Sequence, residues 1–335
     1  MAAPLAHAER PGPLLSVDGL CLSIGEATLL KDISFTVDRG EVVGLVGESG
    51  SGKTLTGLSV LRLVPPGARL AGRITVSGTD LTTAPRDVLR AMRGGEVSMI
   101  FQEPRSSLNP ASPIGRQIAD VIRAHQDISR RQAAAAAISL LGQVGLPSPR
   151  TTFAAYPHEL SGGMCQRAMI AMALACGPSL LIADEPTTAL DVTVQAQIIA
   201  LLRSIADERG LAVLLITHNL AVVTQVCDRI ITMYCGQIVN ADSTHAVVTA
   251  PSHPYTWALL SAGRPQLAPA GFEDAAELTG QPASPASPPV GCRFHPRCPF
   301  SEPRCSETVP ELAAAGGGLT RCLRYPELVL EAAGR

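Results

Sequence analysis

A chain of 335 residues is long enough for one large domain and a smaller one, and its 46% hydrophobic and 17% charged content fits a well-buried core. A net charge of −2 provides no basic field for nucleic acid or anionic lipid, and 3% aromatic residues leave few stacking platforms for bases. Residues 1–13 carry charges and prolines without an apolar stretch, so they read as a disordered N-terminus rather than a secretory signal. The longest uncharged run, residues 168–183, is broken by Gly177-Pro178 and is too short to span a bilayer. The expectation is a cytoplasmic chain that meets a membrane only through partners.

Strand-like and helix-like segments alternate over residues 14–260, which predicts an α/β domain with a mixed, largely parallel sheet. The first informative unit is an apolar strand at 41–46, then Gly47-Glu48-Ser49-Gly50-Ser51-Gly52-Lys53-Thr54, then a helix over 55–63. This is the strand, glycine loop and helix arrangement of a phosphate loop (P-loop). Its backbone N–H groups would converge on phosphate, helped by the positive end of the helix. Lys53 would neutralise β/γ oxygens, and the Thr54 hydroxyl would sit on Mg²⁺. A second buried strand at 97–101 ends at Gln102, after which strands vanish and residues 103–165 read as a helical insertion, with a helix at 129–144.

Leu160-Ser161-Gly162-Gly163-Met164 opens the next helix, which runs to about residue 176, and offers a second set of N–H donors for an anion. Two anion sites in one chain suggest a nucleotide sandwiched between two subunits. A strand over 179–183 then ends in Asp184, placed to hold Mg²⁺ through a water, and Glu185, placed as general base for an attacking water. A long helix follows Asp191 and stops at Gly210, and a strand over 211–217 ends at His218. Pro, Ala, Ser and Gly dominate a linker at 261–290, and a cysteine-bearing extension closes the chain at 291–335. No internal repeat is present, so one nucleotide-binding unit is expected.

In this order and spacing the chain resembles the ATPases of ABC transporters. That resemblance makes the stretch from Leu160 the signature sequence, with Ser161, Gly162 and Gly163 contacting the γ-phosphate bound to the opposite subunit. It makes Gln102 the Q-loop glutamine, Asp191 in Ala189-Leu190-Asp191 the D-loop aspartate, and His218 the switch histidine. Gln102 would also touch Mg²⁺, and Lys53, Glu185, Gln102 and His218 form the catalytic set. Two positions depart from the family's habit. Ile24 stands where an aromatic ring usually stacks on adenine, and Cys165 stands where Arg or Gln is common after the signature.

Phe101-Gln102-Glu103-Pro104-Arg105-Ser106-Ser107-Leu108-Asn109-Pro110, Pro186-Thr187-Thr188-Ala189-Leu190-Asp191 and Pro251-Ser252-His253-Pro254-Tyr255-Thr256 are similar to the oligopeptide/dipeptide importers. The resemblance implies two permease subunits, a paralogous or identical ATPase partner and, indirectly, an extracytoplasmic solute-binding protein. It places the chain on the cytoplasmic face of the cell membrane. Nickel or another small solute is an alternative cargo, since no residue here reads a peptide. A soluble, non-transport ABC ATPase is a further alternative, against which stand the single ATPase unit and the lack of basic segments.

Five cysteines, Cys21, Cys165, Cys176, Cys227 and Cys235, lie mostly among apolar neighbours and read as small core residues. Cys292, Cys298, Cys305 and Cys322 crowd the extension, where a metal would supply folding free energy that little apolar content can provide. Their spacing lacks the tight pairs of zinc ribbons. The resemblance implies a [4Fe-4S] cluster, with Zn²⁺ or unliganded thiols as alternatives.

Overall fold

The computed structural model describes residues 12–188, 190–261, 278 and 280–330. Residues 1–11 of the expected disordered terminus, Ala189 of the D-loop, 262–277 and 279 of the expected linker, and 331–335 lie outside the described residues.

Twelve strands are present among the described residues: β1 (Leu15–Ile24), β2 (Ala27–Val37), β3 (Val42–Val46), β4 (Ala68–Val76), β5 (Thr79–Asp80), β6 (Val97–Ile100), β7 (Leu180–Asp184), β8 (Ala212–Thr217), β9 (Arg229–Tyr234), β10 (Gln237–Ser243), β11 (Ala313–Ala315) and β12 (Gly318–Thr320). They form two sheets, ordered β11-β12-β10-β9-β3-β8-β7-β6 and β2-β1-β4-β5. From β6 to β9 the large sheet is parallel, and β10, β12 and β11 extend it antiparallel. The four-stranded sheet is wholly antiparallel.

The parallel strands are unbroken apolar runs because both of their faces are buried. Alternation divides each strand between two cores. Val42 and Val46 of β3, with Val213 and Leu215 of β8, face the helical insertion. Val43 and Leu45, with Ala212, Leu214 and Ile216, face the antiparallel sheet. The insertion contains the helices Ile114–His125 and Arg130–Gln143, the second started by a Ser129–Gln132 capping box.

The cysteine-bearing segment does not stand apart from this body. Its hairpin β11–β12 pairs with β10, with Asn240 opposite Thr320 and Ala241 opposite Leu319. Phe294 is buried against Tyr234 and Tyr255, with ring centroids 5.2 and 5.3 Å away. Cys165, Cys227 and Cys235 are buried, while Cys21 and Cys176 are half-buried.

Candidate nucleotide site

The carboxyl edge of the parallel sheet gathers the reactive side chains, because β3, β7 and β8 all end there and β6 leads directly into Gln102. β3 runs into the glycine loop, and the helix Lys53–Val60 leaves it. Gly47 has φ +152°, and a Cβ there would stand 2.2 Å from the Met233 carbonyl oxygen, so the tight passage beneath β9 admits no side chain. Inside the loop, Lys53 Nζ donates to the carbonyls of Gly47 (2.8 Å) and Glu48 (2.9 Å). Burial lowers the Lys53 pKa, against the pull of Glu185, Asp184 and Glu48. The buried Ser51 hydroxyl has no hydrogen-bond partner among the described residues.

Across the loop, Thr54 Oγ1 donates to Asp184 Oδ1 at 3.1 Å. Desolvation raises the Asp184 pKa to about 6, outweighing the Thr54 hydrogen bond. Such a hydroxyl–carboxylate pair is a hard-oxygen donor set that suits Mg²⁺.

Glu185 departs from the strand in a left-handed conformation, φ 45°, while its N–H stays bonded to the Ile216 carbonyl at 2.8 Å. That twist gives its carboxylate its own set of partners. Thr188 Oγ1 donates at 2.8 Å, Gln102 Nε2 at 3.2 Å, and His218 Nδ1 stands 3.1 Å away. Burial alone would raise the Glu185 pKa, but the Thr188 and His218 hydrogen bonds reverse the sign and hold it below the ordinary value. Gln102 thus bonds Glu185 in this structure, not the Thr54–Asp184 pair.

The structure therefore brings Lys53, Thr54, Gln102, Asp184, Glu185 and His218 together. Ser161, Gly162, Gly163 and Asp191 form a second group. Ser161 caps the helix Gly162–Ala173 by accepting from Met164 N (3.3 Å), and Asp191 caps Val192–Arg209 by accepting from Val194 N (2.9 Å). A Cβ on Gly163 would stand 3.0 Å from Val194, so the two helix starts are packed together. Ile24 ends β1, half-buried against the antiparallel-sheet core.

Four residues carried no functional reading from sequence: Thr188, which holds Glu185, and Tyr255, Arg293 and Arg297 around the loop. Glu48 N donates to Tyr255 Oη at 2.8 Å. Arg297 grips the Glu48 carboxylate with both nitrogens, at 2.7 and 3.0 Å, and also donates to the Leu278 carbonyl. Arg293 donates to the Cys235 carbonyl, and the next residue, Gly236, donates from its N to the Ser51 carbonyl. The signal for Tyr255 lay in the motif at 251–256. Arg297 had only its place beside Cys298.

Cys292, Cys298, Cys305 and Cys322 line one cavity with His253, Phe294 and Phe300. Desolvation, then mutual repulsion, raises Cys292 to about 11 and Cys298 to about 12. No group of three or more His, Cys, Asp or Glu side chains among the described residues is arranged to hold a metal ion, so the expected ligand set is gathered around a cavity without forming a coordination shell. Nor is any helix among the described residues long and apolar enough to cross a membrane.

The ABC transporter family matches residues 30–188, and the oligopeptide/dipeptide transporter C-terminal region matches residues 239–305. The chain is 45% identical over 327 residues to the dipeptide transport ATP-binding protein DppD of Escherichia coli K12, covering 96% of this chain and 98% of that protein. It is 44% identical to a putative peptide import ATP-binding protein of Brucella melitensis, covering 94% and 98%. Among solved structures, the dimeric post-hydrolysis cassette MJ0796 bound to ADP and Pi aligns with a TM-score of 0.62 at 25% identity, over 69% of this chain and 98% of that one. The chain belongs to the ABC transporter ATP-binding proteins, in the branch that carries the oligopeptide/dipeptide C-terminal region.

Proposed function

We propose that this ATPase powers import of di- or oligopeptides through two separate permease subunits, from the cytoplasmic face of the membrane. It would act as a head-to-tail dimer with itself or a paralogous ATPase, and a solute-binding protein outside would deliver cargo to the permeases. The names of its relatives support the cargo, and the site supports the chemistry. The observation that carries the mechanism is Glu185, one carboxylate held by Thr188, Gln102 and His218 beside the Lys53–Thr54–Asp184 group.

Kept ionised by those partners, Glu185 takes a proton from the attacking water as its oxygen bonds to the γ-phosphorus. The bond from that phosphorus to the β-phosphate oxygen breaks, releasing ADP and phosphate. Lys53 neutralises charge on the β- and γ-phosphates, and His218 and Gln102 hold Glu185 in line. Mg²⁺, held by Thr54 and Asp184 with Gln102 nearby, would supply charge compensation to the phosphate oxygens. In the closed dimer, the partner's helix start at Ser161 would complete the γ-phosphate shell.

We further read the extension as the seat of a [4Fe-4S] cluster. Four cysteines lining one cavity supply the all-thiolate set that such a cluster takes, one cysteine to each iron.

Glu185→Gln tests the catalytic reading. Turnover should fall by about 100-fold or more, as for loss of a general base, while Mg-ATP still binds and a stable dimer accumulates on size exclusion. Turnover near that of the parent protein would overturn the assignment.

A further inference from the structure

We propose that Arg297 is a positioning residue for ATP: from the cysteine-bearing extension it clamps Glu48 and so sets the affinity of the glycine loop for triphosphate. The inference rests on the ATPase reading above. Its basis is geometric. Glu48 is the second residue of the loop, and its carboxylate receives a two-pronged ion pair from Arg297. Arg297 is 5% exposed and Glu48 23%, so solvent screens the pair poorly. Arg297 also lies 5.9 Å from the Tyr234 ring centroid and bonds the Leu278 carbonyl, which fixes its fork in place.

The clamp is reinforced on both sides. Tyr255 takes the Glu48 N–H, and Arg293 holds the Cys235 carbonyl of the β9–β10 turn, whose Gly236 N–H holds Ser51. Residues 48 and 51 are thus held from outside the loop. Without Arg297 a carboxylate would stand unpaired in a loop that must accept several negative charges, and the loop backbone would lose its external anchor. Among the described residues, the hydrogen bonds and ion pair of Arg297 go to Glu48, Tyr234 and Leu278 and not to a predicted catalytic residue, so its loss should weaken nucleotide binding more than turnover.

The test is a double-mutant cycle on the full chain, read as the Kd for Mg-ATP with a fluorescent ATP analogue, and as KM and kcat. Arg297→Ala should raise Kd and KM about tenfold, the scale of one lost charge-assisted hydrogen bond, with kcat within twofold. In the Glu48→Gln background the same substitution should change Kd less than twofold. Arg297→Lys, which keeps the cation without the fork, should fall between and covers the case in which the alanine variant does not fold. Equal losses in both backgrounds, or no loss, would overturn the clamp. Lys53→Ala is the control for the parent reading: if it binds ATP like the unsubstituted chain, the nucleotide assignment fails, whatever Arg297 does.

Discussion

Asp184 and Glu185 are neighbours in sequence, yet their carboxyls shift in opposite directions because the left-handed turn at Glu185 separates their surroundings. Asp184 is 2% exposed and takes a hydrogen bond from Thr54, and its pKa rises from 3.8 to about 6. The folded chain therefore holds this proton more tightly than the unfolded chain. Stability of the Mg²⁺-free protein should fall as pH rises from about 4 to about 6 and then level off. Asp184→Asn removes that ionisation, and should stabilise the Mg²⁺-free protein at neutral pH by about 1–2 kcal/mol in urea titrations. Mg²⁺ competes for the same oxygens, so Mg²⁺-dependent ATP binding should weaken as pH drops below about 6. A flat binding profile through that range, with unchanged asparagine stability, would refute the desolvated Asp184. The gathering of Lys53, Thr54, Asp184 and Glu185 was legible from sequence because short-range motifs place each at the end of a strand or in the loop after it. Gln102 and His218 were legible only by their order among those motifs. The Arg297–Glu48 pair bridges 249 positions, and no local pattern announces it.

Four of the large sheet's five parallel strands, β3, β6, β7 and β8, were equally legible as apolar runs without alternation, because burial on both faces removes any polar period, whereas β9 was not read from the sequence. The antiparallel sheet was not. β1 carries Asp18 and Gly19 in mid-strand, and its pairing with β2 and β4 shifts register around them, so alternation breaks where the eye would look for it. Helix limits were better marked: Ser129 with Gln132 starts one helix, and Gly210, at φ 62°, ends another. The most demanding contact between elements is one that a glycine makes possible. Gly44 of β3 faces the helix Leu220–Val226, and an added Cβ would stand 2.1 Å from Val223 Cγ1. Gly44→Ala should therefore cost about 1–3 kcal/mol by overpacking, measured by urea unfolding, and Val223→Ala in the same chain should recover part of it. Full additivity of the two losses would show that strand and helix do not meet this closely.

At the scale of the molecule, the extension behaves as part of the ATPase body. The matched C-terminal region starts at residue 239, inside β10, the strand that β12 extends. The composition change marked where the extension begins, but its docking depends on backbone pairing and on arginines reaching into the body, neither of which alters hydrophobicity. Arg321 donates to the Ile238 and Pro310 carbonyls, joining the extension to β10. Cys298 follows Arg297 directly, so whatever holds the thiols also holds the clamp. If a cluster closes the cavity, Cys298→Ser should abolish iron content and visible absorption in anaerobically purified protein. It should also raise the Kd for Mg-ATP about as much as Arg297→Ala does, because both release the same carboxylate. Combining the two substitutions should add little further, as expected for residues acting through one contact. Iron retained in the serine variant would exclude Cys298 as a ligand. Iron lost with ATP affinity unchanged would make the metal centre purely local and sever it from the nucleotide loop.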